Sequence, residues 1–291
     1  MLRVPLLELH PRYVPLREAA ARPDALARVA YGAPADGAVL VPSRQLDGEP
    51  RVEVWESAGA ELSFGALSID ATDAIETDTR DLYAQLIDDV RRAGYPYFVR
   101  MWNYVGGIND FDEGRERYQL FCAGRHDAFV DAGYHHDVDL PAASAVGMPG
   151  RGLVTYYLAA REAGVQVENP RQVAAYHYPP QYGPKSPSFS RATMWGGMVF
   201  VSGTSSVIGH KTVHPGDVGA QLEETLRNIE AVLAQTGRPL ASVIAAKTYL
   251  RNAADHERVA SRLAEVFPVN LTIEADICRK DLLIEIECVA R

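Results

Sequence analysis

Hydrophobic positions in the second half of the chain recur at two distinct periods. Between Asp217 and Leu233, the residues Val218, Leu222, Leu226, Ile229 and Leu233 fall three or four apart, the spacing of one buried helix face. Asp217 is a fitting N-cap and Gly237 a fitting residue just past the C-terminus. A β-rich run from Ser242 to Leu250 follows, then a second helical pattern near 254–266. The closing stretch, 275–289, reads as two short strands around the charged turn Arg279-Lys280-Asp281. Alternation places Leu282, Ile284, Ile286 and Cys288 on one face of the last strand, with Glu285 and Glu287 on the other. Two acids on a strand face are ordinary where that face meets water. Where it meets another sheet or subunit, a carboxylate becomes a candidate acid or base with a shifted pKa.

The first half repeats this order. Ala84-Gln85-Leu86 lies in the helical pattern 81–90, as Ala220-Gln221-Leu222 does in the later helix. After Gly94 come a strand over 97–104 and a helix predicted over 112–130. Helix, glycine, strand carrying a late tyrosine, helix: the order occurs twice and points to an internal duplication. The run Leu140 to Gly150 breaks helical periodicity, so the expected division is 1–145 and 150–291. The fold class is α+β, each half a mixed β-sheet with helices packed on one face. One face of each sheet is left to bury against something else.

Composition narrows the function. The 291 residues are 47% hydrophobic and 23% charged, and no apolar run approaches the roughly 18 residues of a membrane span. Met1 to Glu8 lacks the apolar region of a signal peptide, so the expected location is the cytoplasm, with no membrane partner. A net charge of −9 argues against a nucleic-acid partner and makes any anionic ligand depend on local arginines. The three cysteines, Cys122, Cys278 and Cys288, are too few and scattered for a disulfide framework. No zinc spacing, GxGxxG, P-loop or GxSxG is present. Neither a metal nor a cofactor is expected, which leaves cofactor-free chemistry or plain binding.

On the predicted 112–130 helix, Arg117 falls inside the apolar stripe, Arg125 at its margin and Arg115 on the far side. Arg117 can pair with a buried acid, or it can clamp an anion, since guanidinium stays charged when desolvated. The Tyr- and Pro-rich segment 176–192 contains Tyr178 and Arg191 and suits a loop lining a cleft. The strand after it ends at Ser202-Gly203, where exposed backbone amides can approach a ligand closely. Cys278 is open between a small buried hydrophobe and a reactive thiol.

Phe200-Val201-Ser202-Gly203, the Ala220-Gln221-Leu222 helix and Ile284-Glu285-Ile286-Glu287 resemble the RidA (YjgF) pattern. Asn103-Tyr104, Glu116-Arg117-Tyr118, Gly124-Arg125, Leu140-Pro141-Ala142-Ala143 and Ser202-Gly203-Thr204 resemble the chorismatases, a cofactor-free family whose C-terminal half has the RidA fold. The resemblance implies two RidA/YjgF-like halves and a small-molecule substrate, chorismate, cleaved to pyruvate and a hydroxybenzoate, with the 3-isomer favoured over the 4-isomer. It implies Glu285 as the catalytic acid. The cysteine seven residues earlier, Cys278, matches the aromatising type. Arg117, Arg125, Arg191, Tyr104, Tyr178, Ser202 and Gly203 are the expected substrate contacts. RidA deaminases carry an arginine shortly after Phe-Pro; here Phe267-Pro268-Val269 leads to Asn270. That departure counts against the rival reading, an imine or enamine deaminase. A non-catalytic binder of aromatic acids is a further rival. A monomer and a homotrimer are both open.

Overall fold

The computed structural model describes residues 41–45, 51–56, 62–69 and 71–291; the N-terminal stretch Met1 to Glu8 lies outside them. Three strands, β1 (Val41–Gln45), β2 (Arg51–Glu56) and β3 (Leu62–Ile69), precede helix α1 (Ile75–Arg92) and strand β4 (Tyr97–Gly106). A small hairpin, β5 (Phe111–Asp112) and β6 (Arg115–Glu116), opens directly into α2 (Arg117–Asp131). Strands β7 (Ala142–Met148) and β8 (Leu153–Ala160) complete a sheet ordered β1-β2-β3-β8-β4-β7.

The second half contributes β9 (Val165–Val167), β10 (Ala192–Trp195) and β11 (Met198–Ser205), then the hairpin β12 (Val207–Ile208) and β13 (Lys211–Thr212). Helix α3 (Val218–Ala234), β14 (Val243–Leu250), α4 (His256–Val266), β15 (Asn270–Glu274) and β16 (Ile284–Ala290) follow. Its sheet runs β9-β10-β11-β16-β14-β15. Strand for strand this is the order of the first sheet. In each, an edge parallel pair is joined through a helix, β4 with β7 and β14 with β15, and one antiparallel strand, β8 or β16, flanks the pair on its inner side. The α+β class and the repeated unit are both present in the topology.

The helical faces form as the periodicity implies. Val218, Leu222, Leu226, Ile229 and Leu233 are buried with Ile284, Ile286 and Cys288 beneath the second sheet, and the Asp217 side chain caps the Ala220 N–H at 3.1 Å. Leu82, Tyr83, Leu86, Phe121 and Phe129 from α1 and α2 form the first core. The two sheet faces turned away from the helices pack on each other through Trp102, Tyr104, Phe200, Tyr249 and Val289. The layers therefore run helix, sheet, sheet, helix.

Three boundaries differ from expectation. The first sheet extends to Ala160, past the division expected at 145–150. The run that breaks helical periodicity is itself β7: Ala142 and Ser144 are buried at the inter-sheet seam, and Ala143 faces the first core. Helix α2 begins at Arg117, not 112, because Glu113 (φ 52°) and Gly114 (φ 78°) close the preceding hairpin. Only Ile284–Ala290 of the closing stretch is a strand; the segment before it is a loop that touches the first sheet through the Ile277–Val146 bridge.

Arg117 is fully buried and uses its whole donor fork internally. Its Nε donates to Gly106 O at 2.7 Å, Nη1 to Thr72 O at 3.3 Å and to Asp112, and Nη2 to Thr72 Oγ1 at 2.6 Å and Arg151 O at 3.0 Å. The anion-clamp alternative is thereby corrected, since all five N–H groups of a guanidinium already have protein acceptors. Arg117→Met strands those acceptors and Asp112, and is expected to lower stability by about 3–5 kcal/mol. Urea unfolding measures it, and a loss below about 1 kcal/mol would mean that the hub carries little.

Candidate active site

Glu285 and Glu287 share the inner face of β16 and are only 4% and 5% exposed. The face that alternation assigned them meets the other sheet, so both are desolvated. Glu287 is an ion-pair centre. Arg100 from β4 reaches it at 2.7 Å and Lys247 from β14 at 2.9 Å. Trp102 Nε1 donates to it at 2.7 Å, Ser144 Oγ at 2.5 Å and the Tyr249 hydroxyl at 3.3 Å. Burial alone would raise its pKa, but Lys247, Arg100 and the Ser144 hydroxyl outweigh that and hold it at about 2.

Glu285 has none of these cations as direct partners. Burial first, and then the neighbouring charge of Glu287, push it up to about 8, against the pull of Arg100 and a 3.5 Å hydrogen bond from Ser205 Oγ. At neutral pH one acid is therefore ionised and the other protonated, the pairing expected where two carboxyls are assigned different tasks. Opposite them β11 is bulged: Ser202 and Gly203 lie between the pairs Val201–Cys288 and Thr204–Ile286. A Cβ at Gly203 would collide with the Glu285 carboxyl and approach Ser144 Oγ to 3.0 Å. The absent side chain is what leaves the carboxyl its place.

Glu285 opens on a cavity of about 570 Å³ at the seam of the two halves, within the range of roughly 300–1,000 Å³ usual for small-molecule sites. The first half supplies Tyr118 and Gln119 from the start of α2; the second supplies Gly203, Ser205, Cys278 and the 178–191 loop. Two guanidiniums flank one ring there. Arg191 lies 5.7 Å and Arg279 5.3 Å from the Tyr178 centroid, and Arg279 also stacks on Tyr182 at 4.3 Å. Arg191 Nη2 donates to the Tyr178 hydroxyl at 2.9 Å and to Val173 O at 2.8 Å. Its buried Nε has no hydrogen-bond partner among the described residues. Arg279 is held by His210 O at 2.9 Å. Burial and the adjacent Glu285 keep the Cys278 thiol at about 12, so it is not a thiolate at neutral pH.

Of the residues expected at the site, the fold brings together Glu285, Cys278, Arg191, Tyr178 and Gly203. Four others are elsewhere. Arg117 is the hub described above. Arg125 is buried between the Tyr83 and Phe129 rings, with Nη2 3.7 Å from Met101 Sδ. Tyr104 spends its hydroxyl on Tyr249 at 3.2 Å, across the sheet interface. Ser202 accepts the Ala143 N–H at 2.8 Å and donates to Ser190 O at 2.6 Å. Helical spacing places Arg117 at its observed depth but Arg125 only at the margin, where the structure buries it, and carries no information on the partners of either. Arg279 and Tyr118 were missed: the first is adjacent to Cys278 but reads as part of a charged turn, and the second follows a more conspicuous arginine. Asn270, where a deaminase arginine was sought, accepts from Thr248 at 2.8 Å and does not line the cavity. Among the described residues, no group of His, Cys, Asp and Glu is arranged to hold a metal, and no helix is long and apolar enough to cross a membrane.

Residues 42–159 match the family described as Chorismatase FkbO/Hyg5-like, N-terminal, and residues 184–291 match Endoribonuclease L-PSP. The chain is 40% identical to a 3-hydroxybenzoate synthase of Streptomyces hygroscopicus over 278 residues, covering 83% of this chain and 82% of that one. It is 39% identical to a chorismatase of the same organism over 253 residues, covering 80% and 72%. A chorismatase crystal structure superposes with a TM-score of 0.79 at 34% identity, over 86% of this chain and 80% of that chain. With its duplicated RidA/YjgF-like fold and a match along most of its length, the chain belongs to the chorismatase family.

Proposed function

We propose that this protein cleaves chorismate to pyruvate and 3-hydroxybenzoate without a cofactor, with Glu285 as the acid. The observation that carries the reading is a glutamic acid held protonated by burial, facing a seam cavity that Arg191 and Arg279 line together with Arg115. The names of the relatives, a 3-hydroxybenzoate synthase and a chorismatase, support the same substrate and favour the same product.

Chorismate is a dianion. A chain of net charge −9 must bind its two carboxylates through local cations, and Arg191 and Arg279 are the pair this reading uses. Both are braced on the Tyr178 ring, so little side-chain freedom is lost on binding. Atom counting then constrains the chemistry. Chorismate has the composition of a hydroxybenzoate plus pyruvate, so no oxidant, reductant or water is consumed. Glu285 gives its proton to the methylene carbon of the enolpyruvyl group. The ring C–O bond breaks, and its electron pair becomes part of the pyruvate carbonyl. For the 3-hydroxy isomer, the neighbouring ring hydroxyl oxygen bridges to the vacated carbon. The bridge reopens at the other carbon, and the ring loses one proton as it becomes aromatic. Glu285, now a carboxylate, accepts that proton and is restored. Such acid–base catalysis contributes about 10²–10⁴-fold, with the remainder supplied by fixed orientation and water exclusion. Both cavity walls belong to one chain, so this reading needs no second subunit.

The Glu285→Gln variant should lose about 10²–10⁴-fold in pyruvate release with its circular dichroism unchanged; a variant of near-normal rate would remove Glu285 from the role. In the parent enzyme the active form is the protonated one. Because the folded pKa is raised to about 8, activity is full below that pH and falls as pH rises through it, which a pH–rate profile of pyruvate release will follow. Arg279→Met should raise KM for chorismate roughly 10- to 100-fold, the effect of a lost charged hydrogen bond of about 1.5–3 kcal/mol. An unchanged KM would exclude Arg279 as a carboxylate contact.

A further inference from the structure

The stretch 275–283, between β15 and β16, belongs to neither a helix nor a named strand, so apart from the Ile277–Val146 bridge no ladder satisfies its backbone carbonyls. It nevertheless carries Cys278, Arg279, Lys280, Asp281 and Leu282, consecutive residues of the cavity wall. A wall segment without secondary structure needs another source of rigidity, and one side chain provides it.

Arg251 follows directly on β14, with only 15% of its side chain exposed. Its Nε donates to Leu282 O at 2.8 Å, and its Nη2 to Ile277 O at 2.8 Å and Arg279 O at 2.9 Å. Nη1 reaches Asp276 Oδ1 at 2.6 Å and, across the seam, Asn109 Oδ1 at 3.2 Å. All five N–H groups of the guanidinium are thus spent, three of them on main-chain carbonyls at and around Arg279. The Arg251 backbone N–H adds a bond to Leu283 O at 3.0 Å. Arg251 itself does not line the cavity.

Asn109 belongs to the turn after β4, which the Arg117 hub also grips: Gly106 O accepts from Arg117 Nε, and Asp110 O from the Arg117 N–H at 2.9 Å. Two arginine forks, one from each half, therefore meet on one turn. The loop that carries Arg279 is held against the first half as well as against its own sheet. The head of Arg279 rests on the Tyr178 and Tyr182 rings and donates to His210 O at 2.9 Å. Those contacts fix the guanidinium only if its backbone is fixed too. A long side chain on a loose loop loses freedom on gripping an anion, whereas one anchored at both ends has little left to lose.

We propose that Arg251 is a positioning residue for substrate binding: by holding the main chain on both sides of Arg279, it fixes where that guanidinium meets a carboxylate of the substrate. This rests on the chorismate-cleaving reading above, in which Arg279 grips one carboxylate.

The test is the steady-state kinetics of pyruvate release from chorismate, with circular dichroism and Tm as checks of folding. Arg251→Lys keeps the charge and can still pair with Asp276, but an ammonium offers three donors in place of a planar five. It should raise KM for chorismate at least about tenfold with kcat within about threefold of the parent, the split expected when binding rather than chemistry is lost. In an Arg279→Met background the same substitution should change KM by less than about twofold, because the two residues act as a unit. Asn109→Ala removes the tether to the first half and should raise KM about threefold, the effect of one lost hydrogen bond. This variant carries the test if Arg251→Lys does not fold, and an unchanged KM then overturns the proposal. So does an Arg251→Lys enzyme with the parent KM, or an effect on KM that persists in full without the Arg279 guanidinium; each leaves chorismate cleavage intact. A parent enzyme that releases no pyruvate from chorismate overturns the reading beneath it instead.

Discussion

Two carboxyl groups on one strand face are buried together between apolar sheets, and this is tolerable only because they carry different charges. An ionised Glu287 pays its desolvation through Arg100 and Lys247, one from each half, with three further hydrogen bonds. A second uncompensated carboxylate beside it would lack such a return. Glu285 therefore keeps its proton. The ion cluster that joins the halves and the acidity of the neighbouring group are consequences of one electrostatic arrangement. Any change that loosens the Arg100–Glu287 contact acts on both.

The duplication explains why a single acid arises. In the first sheet β8 occupies the place that β16 holds in the second. Tyr104 pairs with Val154 there, as Tyr249 pairs with Glu285. The next inward position carries Tyr156 in β8, where β16 carries Glu287. The two tyrosines, Tyr104 and Tyr249, meet hydroxyl to hydroxyl across the sheets, so the halves face each other at equivalent positions. Where the second half presents acids, the first presents an aliphatic and an aromatic side chain. It contributes Arg100, Trp102 and Ser144 to the partner strand's charge instead. One half thus carries the acid, and the other supplies the cation and the dry surface that set its protonation.

What was legible in the sequence follows the reach of each signal. Period-two and period-3.6 patterns are local, so the α3 face, the β16 alternation and the burial of Arg117 could be read from spacing alone. The shared order of elements carried the repeat. Partner choice is not local: nothing near Arg117 announces that Thr72, Gly106, Asp112 and Arg151 converge on it from three separate segments. The same holds for Arg125, which spacing puts at the margin of the stripe and which is buried by aromatic neighbours from both α1 and α2. Arg279 was hidden for the opposite reason. Its local context, between Cys278 and Lys280 in a polar turn, is that of a solvated charge, and only the Tyr178 and Tyr182 rings from a distant loop make it part of the cavity. The Leu140–Gly150 run breaks helical periodicity because its small residues form a buried strand, and a break in one period does not by itself mark a boundary.

The corrected role of Arg117 also bears on how a net-negative chain assembles an anion site. A guanidinium at the helix start with free donors would compete with Arg191 and Arg279 for a dianion and would draw it toward the first half. With its fork spent on backbone carbonyls, Thr72 and Asp112, Arg117 contributes geometry rather than field. It fixes where α2 begins, and hence where Tyr118 and Gln119 meet the cavity. The cations braced on the Tyr178 ring, Arg191 and Arg279, belong to the other wall. That separation suits a proton donor, because a guanidinium in direct contact with Glu285 would favour its ionised form. The hydrogen bonds of Arg191 and Arg279 go to Val173 O, the Tyr178 hydroxyl, His210 O and Thr212 Oγ1, and none goes to Glu285, so these cations share its cavity without a direct contact that would draw off its proton.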